Sequence, residues 1–226
     1  MFHKFKELFA SENLLDTAFK TTLTMLDYDR QMYDASCKVL RCADDAMLPL
    51  DIKKMDRKIN KYEREVRRNV LTHLTIAGTQ NLVPGLVLVS IVIDVERIGD
   101  YTKNIAGLAN LHERRLQGGM HEDTLQEIEK TIDEHFSQII NVLKTQDKNS
   151  ARGILRKEDE TGKRAEMIVE DTVLEKDPQL SKADAVCLAM YARHLKRINA
   201  HLTNIASSIV NPFPRIGFRE KKQNKK

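Results

Sequence analysis

The chain has 226 residues, of which 31% are charged, 41% hydrophobic and only 5% aromatic, with nine glycines, five prolines and no tryptophan. Strand-rich folds need turn residues and β-branched or aromatic runs, so this composition argues against them and favours an all-α protein. The net charge is +4, but six basic residues against Glu220 give the C-terminal segment 212–226 a charge of +5. Subtracting that +5 from the total leaves −1, so residues 1–211 are close to neutral.

Helix-breaking residues divide the sequence into six predicted helices, at about residues 14–47, 51–77, 83–116, 122–145, 149–176 and 181–210. Gly118-Gly119 is expected to be the most flexible point of the chain. Ser181, followed by Asp184, is typical of a capping box with a shortened acid. Several of these helices exceed 25 residues, which predicts a bundle with coiled-coil-like seams.

The third and sixth helices share a pattern displaced by 100 residues. In the third helix, apolar positions alternate steps of four and three, a period of 3.5: Ile91, Val95, Ile98, Thr102, Ile105 and Ala109. The sixth helix repeats that spacing from Tyr191 to Ile209, and the residues at 97–98 and 104–106 recur at 197–198 and 204–206. We therefore predict an internal duplication with pseudo-twofold symmetry. It has three parts: a three-helix repeat at 1–117, a second at 120–211, and a basic tail at 212–226.

The strongest local signal is the segment DVERIGDYTKNIA at residues 94–106. Glu96 and Asp100 are one helical turn apart and are expected to face solvent, roughly opposite the apolar seam. Hard cations take oxygen ligands, and a neighbouring helix could add Asp56 and Asn60. The alternative is a solvated face in which Asp100 pairs with Lys103 and Glu96 with a nearby basic residue.

The motif ERIGDY at 96–101, followed by NIA at 104–106, resembles the signature of the PhoU family, and the resemblance extends over most of residues 14–211. It implies two three-helix repeats in a spectrin-like bundle. It also implies metal ions, often iron, bound by carboxylates on the bundle surface. Members of this family regulate phosphate uptake and phosphate-responsive signalling, and they are not known as enzymes.

Carried over by position, the first repeat keeps Glu96 and Asp100, with Asp56 and Asn60 as the companion pair. Asn60 stands where a second carboxylate is usual, although its side chain can still offer a carbonyl oxygen. The second repeat departs from the pattern at four positions, Lys163, Lys196, Asn199 and Ala200, although it keeps Asp159. The resemblance therefore implies at most one site of the family type, for iron, zinc, nickel or manganese.

Other chemical motifs are missing from the sequence. It has no HExxH, no Glu-x-x-His, no P-loop and no GxSxG, which argues against a di-iron oxidase and a nucleotide site. His194 and His201 share a helix face and are expected to be partly exposed. Cys37, Cys42 and Cys187 match no zinc pattern, which predicts reduced thiols in a cytoplasmic protein.

Two further features concern location and partners. The longest apolar stretch, 82–93, is shorter than the roughly 20 residues of a membrane span, so only peripheral membrane association through partners is expected. The second helix is notably basic, which indicates either a solvated face or a docking surface for an acidic partner. The tail is expected to be a disordered, solubilising segment, with electrostatic contact to nucleic acid or anionic lipid as the alternative.

The leading hypothesis is a non-enzymatic regulatory adaptor that binds a phosphate transporter subunit or a sensor kinase and forms a homo-oligomer, with a dimer favoured. The transporter could be of the ABC type or a sodium- or proton-coupled system. No nucleic acid is expected as a partner. A second hypothesis, a carboxylate-bridged metalloenzyme on a helical bundle, predicts buried carboxylates together with histidine ligands.

Overall fold

A computed structural model describes residues 2–43, 48–112 and 114–220, with side chains described from residue 14 onward. The described residues form six long helices and contain no strand, which confirms the predicted all-α fold. The helices are α1 (Phe2–Cys42), α2 (Ile52–Ala77), α3 (Leu82–Leu111), α4 (Glu122–Thr145), α5 (Lys148–Val173) and α6 (Lys182–Val210).

Capping residues set several of these bounds. The Asp51 side chain accepts a hydrogen bond from the backbone N–H of Lys54, and Ser181 accepts one from Asp184, as the capping pattern predicted. Gly78 ends α2 with a φ of +71°, a conformation that favours glycine. α1 begins earlier than predicted, and residues 44–47, where its predicted end falls, lie outside the described residues.

The helices pack as two sets of three, α1–α3 and α4–α6, and α3 packs against α6 between the sets. All six predicted seam positions of α3 are buried, and so are their counterparts in α6. The 3.5-residue period therefore located the core side of both helices correctly.

The connection between the two sets is not the free hinge that Gly118-Gly119 suggested. The backbone N–H of Leu116 donates to the carbonyl of Leu40 at 2.7 Å, and the Leu116 side chain is buried. Gly119 has a φ of +55°, and the next N–H, of Met120, donates to Asp177 Oδ2 at 2.8 Å. These contacts hold the connection against both halves, which is why α3 ends at Leu111 rather than near Leu116.

The tail is also held in place as far as it is described. Phe213–Arg215 form a short 3₁₀ turn, the backbone N–H of Gly217 donates to Ser207 Oγ at 2.7 Å, and Arg152 forms two hydrogen bonds to Glu220, at 2.8 and 2.7 Å. The expectation of a disordered tail is therefore wrong for residues 212–220, which fold back onto α5 and α6 although most of their side chains remain exposed. Residues 221–226 lie outside the described part.

α2, the 3₁₀ turn after it and α3 form one continuous helical stretch, Ile52–Leu111. By length and composition alone, this stretch contains a segment that is long and apolar enough to cross a membrane. Core helices of globular proteins also meet that criterion, so it is weak support for a span. Only 22% of the segment is buried within the molecule. At the start of α3, Leu82 and Val83 are exposed and present an apolar surface.

Candidate carboxylate site on the first repeat

Glu96 and Asp100 lie beside Asp56 in the groove between α2 and α3. Their side chains are 14% and 29% exposed, and that of Asp56 is 14% exposed. The expectation that Glu96 and Asp100 face solvent is therefore wrong. α3 packs against α1, α2 and α6, so its buried arc includes a second line of residues, Val92, Gly99 and Ala106, that brings the carboxylates to the edge of the core.

Asp29 of α1 is the central residue of this group, and the sequence analysis missed it. Its side chain is fully buried, and neither carboxylate oxygen has a hydrogen-bond partner among the described residues. Burial raises its pKa well above the ordinary value, and the nearby charges of Glu96, Asp56 and Asp100 raise it further. The sequence signal that could have identified Asp29 is its place in a heptad-like row of buried residues on α1, spaced by three and four: Thr22, Met25, Met32 and Ser36.

Gly99 allows Asp29 to approach α3 closely. A Cβ atom on Gly99 would lie 2.8 Å from Asp29 Oδ1, which is closer than real Cβ atoms approach other atoms, and 3.2 Å from Ile59 Cδ1, which is a tight contact. The glycine of the ERIGDY motif therefore makes room for the buried carboxylate.

Lys103 supplies a cation to this group. Its Nζ lies 2.9 Å from Asp56 Oδ1 and 2.8 Å from Asp100 Oδ1. Arg97 adds weaker contacts, at 3.4 Å to Asp100 and 3.7 Å to Glu96. Burial raises the pKa of Glu96, and its neighbour Asp100 adds to that effect. The pairing of Asp100 with Lys103, which the sequence analysis weighed as the alternative to a metal ligand, is thus present in the structure.

The fit of this group to a metal ion is mixed. The donor atoms are carboxylate oxygens, which suit a divalent cation, and the unpartnered Asp29 would be stabilised by one. As placed, however, no three His, Cys, Asp or Glu side chains among the described residues are grouped to hold an ion, and Lys103 stands between two of the candidates. Asn60 donates its side-chain amide to the backbone oxygen of Asp56 at 3.0 Å, so that amide is turned toward its own helix. The metal site therefore stays a prediction.

At three of the equivalent positions the second repeat has paired polar or charged groups. Lys196 pairs with Glu166, and His135 Nδ1 lies 2.9 Å from Asn199 Oδ1, at the position that Gly99 occupies in the first repeat. Asp159, the counterpart of Asp56, pairs with Arg219 of the tail. A surface pocket of about 250 Å³ lies beside these residues.

His194 and His201 do not belong to the carboxylate site. Both are buried where α3 meets α6, and both rings pack against the Tyr101 ring, so the expectation of partial exposure is wrong. His201 Nδ1 lies 2.7 Å from Asp94 Oδ1. Carboxylates and histidines meet in pairs such as this one, but among the described residues no group of three or more is placed to hold a metal ion. Cys37, Cys42 and Cys187 are free thiols, as predicted.

This arrangement defines a class of protein: a tandem duplication of a three-helix bundle, with a carboxylate motif on the third helix of the first copy. The PhoU domain model matches residues 22–109 and again residues 125–209. The chain therefore belongs to the PhoU family.

Solved structures of the same fold include PhoU from Pseudomonas aeruginosa, at 18% identity and a TM-score of 0.76, covering 88% of this chain and 96% of that one. They also include the phosphate transport system regulatory protein PhoU from Streptococcus pneumoniae, at 17% identity and a TM-score of 0.77, covering 88% of this chain and 95% of that one. No curated protein sequence matches this chain.

Proposed function

We propose that this protein is a cytoplasmic, non-enzymatic regulator of phosphate uptake and phosphate-responsive signalling. The match of the PhoU domain to both repeats carries the proposal, and the fold shared with a phosphate transport system regulatory protein supports it. The bundle surface would bind a phosphate transporter subunit or a sensor kinase, and the protein would act as a homodimer. The transporter is of the ABC type or a cation-coupled system.

Deleting the coding sequence in the native host tests this function. We expect uptake of radiolabelled phosphate to continue at high external phosphate, where the wild type represses it, and the intact chain to restore repression. Sensitivity of the unrepressed uptake to a protonophore or to sodium removal would identify a cation-coupled transporter. Unchanged uptake together with unchanged phosphate-responsive transcription would contradict the proposal.

We further propose that Asp29, Asp56, Glu96 and Asp100 hold one divalent transition metal ion when Lys103 moves aside. Replacing Lys103 with methionine should raise metal affinity at least about tenfold, because a unit charge about 4 Å away contributes roughly 1–4 kcal/mol. Elemental mass spectrometry and calorimetry with manganese, iron, zinc and nickel would measure this.

The control is Glu96→Gln/Asp100→Asn, which should abolish the binding seen in the wild type and in Lys103→Met. Equal metal content in all three proteins would show that the bound metal lies elsewhere. Metal in none of them would leave Lys103 as the permanent cation of the site. Neither result would affect the uptake experiment.

A further inference from the structure

The outer face of α2 carries a straight row of cations, here called the basic stripe. Its members are spaced by four, four, three and four residues, which places them on one side of a helix over about 22 Å: Lys53, Arg57, Lys61, Arg64 and Arg68. All five are exposed, and none forms an ion pair with a described residue. An ordinary solvated helix face interleaves both signs, whereas this one has a single sign.

The acidic residues of α2 do not neutralise the basic stripe. Asp56 is paired with Lys103, and Glu63 pairs with Arg67, which lies beside the stripe. Lys58 is directed to the ring and hydroxyl of Tyr28, also outside the stripe. The third acidic residue of α2, Glu65, forms no ion pair with a described residue, so the five cations face at most one unpaired carboxylate on a body that is close to neutral overall.

The stripe runs directly into an exposed apolar surface. Leu71 continues the same helix face and is 69% exposed, and Val83, at the start of α3, is 59% exposed. Ile76 and Leu82, between them in the chain, are each 40% exposed. Large apolar side chains exposed together mark an interaction site more often than isolated ones do.

We propose that α2 and the first turn of α3 form a surface that binds an anionic lipid bilayer directly. The basic stripe would contact the headgroup phosphates, and Leu71 and Val83 would enter the interfacial layer. A bilayer surface offers both anionic headgroup phosphates and, directly beneath them, the apolar interfacial layer. Duplex nucleic acid offers the phosphates without an apolar layer. The contact needs no protein partner, so it goes beyond the proposed function and beyond association through partners alone.

Sedimentation with vesicles of phosphatidylcholine containing phosphatidylglycerol tests the stripe, using the full chain. Each basic residue near such a surface contributes about 1 kcal/mol, or roughly fivefold in partitioning. Arg57→Gln/Lys61→Gln/Arg64→Gln should therefore weaken binding about 100-fold. The matched control, Lys130→Gln/Lys144→Gln/Lys182→Gln, removes the same charge from exposed positions on α4 and α6 and should change binding less than about threefold. Equal losses in the two triple variants would overturn the proposal.

Contact of the apolar end with the bilayer can be measured separately by tryptophan fluorescence, because the chain contains no tryptophan of its own. Leu71→Trp should show a blue shift in emission with phosphatidylglycerol vesicles and none with pure phosphatidylcholine. Val186→Trp, at an exposed position on α6, should show no shift with either. A shift at 186 but not at 71 would place the contact elsewhere and overturn the proposal. So would retention on duplex DNA without any sedimentation with vesicles, which would assign the stripe to nucleic acid.

Discussion

Replacing Arg41 with methionine is expected to lower the free energy of unfolding by about 3 kcal/mol, as for other buried ion pairs that lose one partner. Arg41 Nε donates to Glu129 Oε1 at 2.8 Å, and its other nitrogens donate to Glu122 and to the carbonyl of Leu116. The side chain is only 10% exposed and links α1 to the connection and to α4. Denaturant unfolding of the variant at neutral pH measures the loss.

The double variant Arg41→Met/Glu129→Gln separates charge from packing. Burial raises the pKa of Glu129, and Arg41 opposes that shift, so removing Arg41 leaves a carboxylate that is costly to ionise. The added Glu129→Gln change should recover at least about half of the loss, because the remaining amide is neutral. If the double variant is as unstable as Arg41→Met, the loss comes from packing and from the Leu116 contact instead.

Replacing Asp29 with asparagine is expected to stabilise the metal-free protein, by about 2 kcal/mol at pH 8, because the wild type holds a buried carboxylate without a partner. The asparagine amide can donate to the surrounding carboxylates. Denaturant unfolding with a chelator present tests this. Asp27→Asn, at an exposed position on the same helix, is the control and should change stability by less than about 0.5 kcal/mol.

The pH dependence of the Asp29→Asn effect follows from the direction of the pKa shift. The folded-state pKa of Asp29 lies above its unfolded value, so the folded protein binds this proton more tightly than the unfolded chain does. Below the ordinary carboxyl pKa both states are protonated, and the wild type loses nothing. Its stability falls as the pH rises through the folded-state pKa. The advantage of Asp29→Asn should therefore be absent near pH 3 and greatest near pH 8; a constant advantage would contradict this account.

The fold could be predicted because its determinants are local and periodic. The 3.5-residue seams of α3 and α6 are written in the sequence as apolar steps of four and three, and their offset of 100 residues revealed the duplication. The helix bounds followed from Asp51, Gly78 and Ser181, whose chemistry acts within one turn. None of these features depends on which helices pack together.

The site was only half predictable, because its geometry depends on packing between distant helices. The spacing of Glu96 and Asp100 placed them together, but a single seam could not show that α3 is covered on three sides. Asp29 is 67 residues before Glu96 in the chain, and only the close approach at Gly99 connects them. The prediction for the tail was wrong for the same reason, because Arg219 pairs with Asp159, which is 60 residues earlier in the chain.

That last contact has a consequence for where the second repeat ends. In the first repeat the counter-ion of Asp56 is Lys103, which lies on α3 of the same repeat. In the second repeat the corresponding position, 203, is a threonine, and Asp159 pairs instead with Arg219 of the tail. A fragment cut after residue 211 would contain all three helices of that repeat and still lack one half of this ion pair and of the pair between Arg152 and Glu220. The ordered structure of the second repeat therefore extends to Glu220, nine residues beyond Asn211, which caps its last long helix.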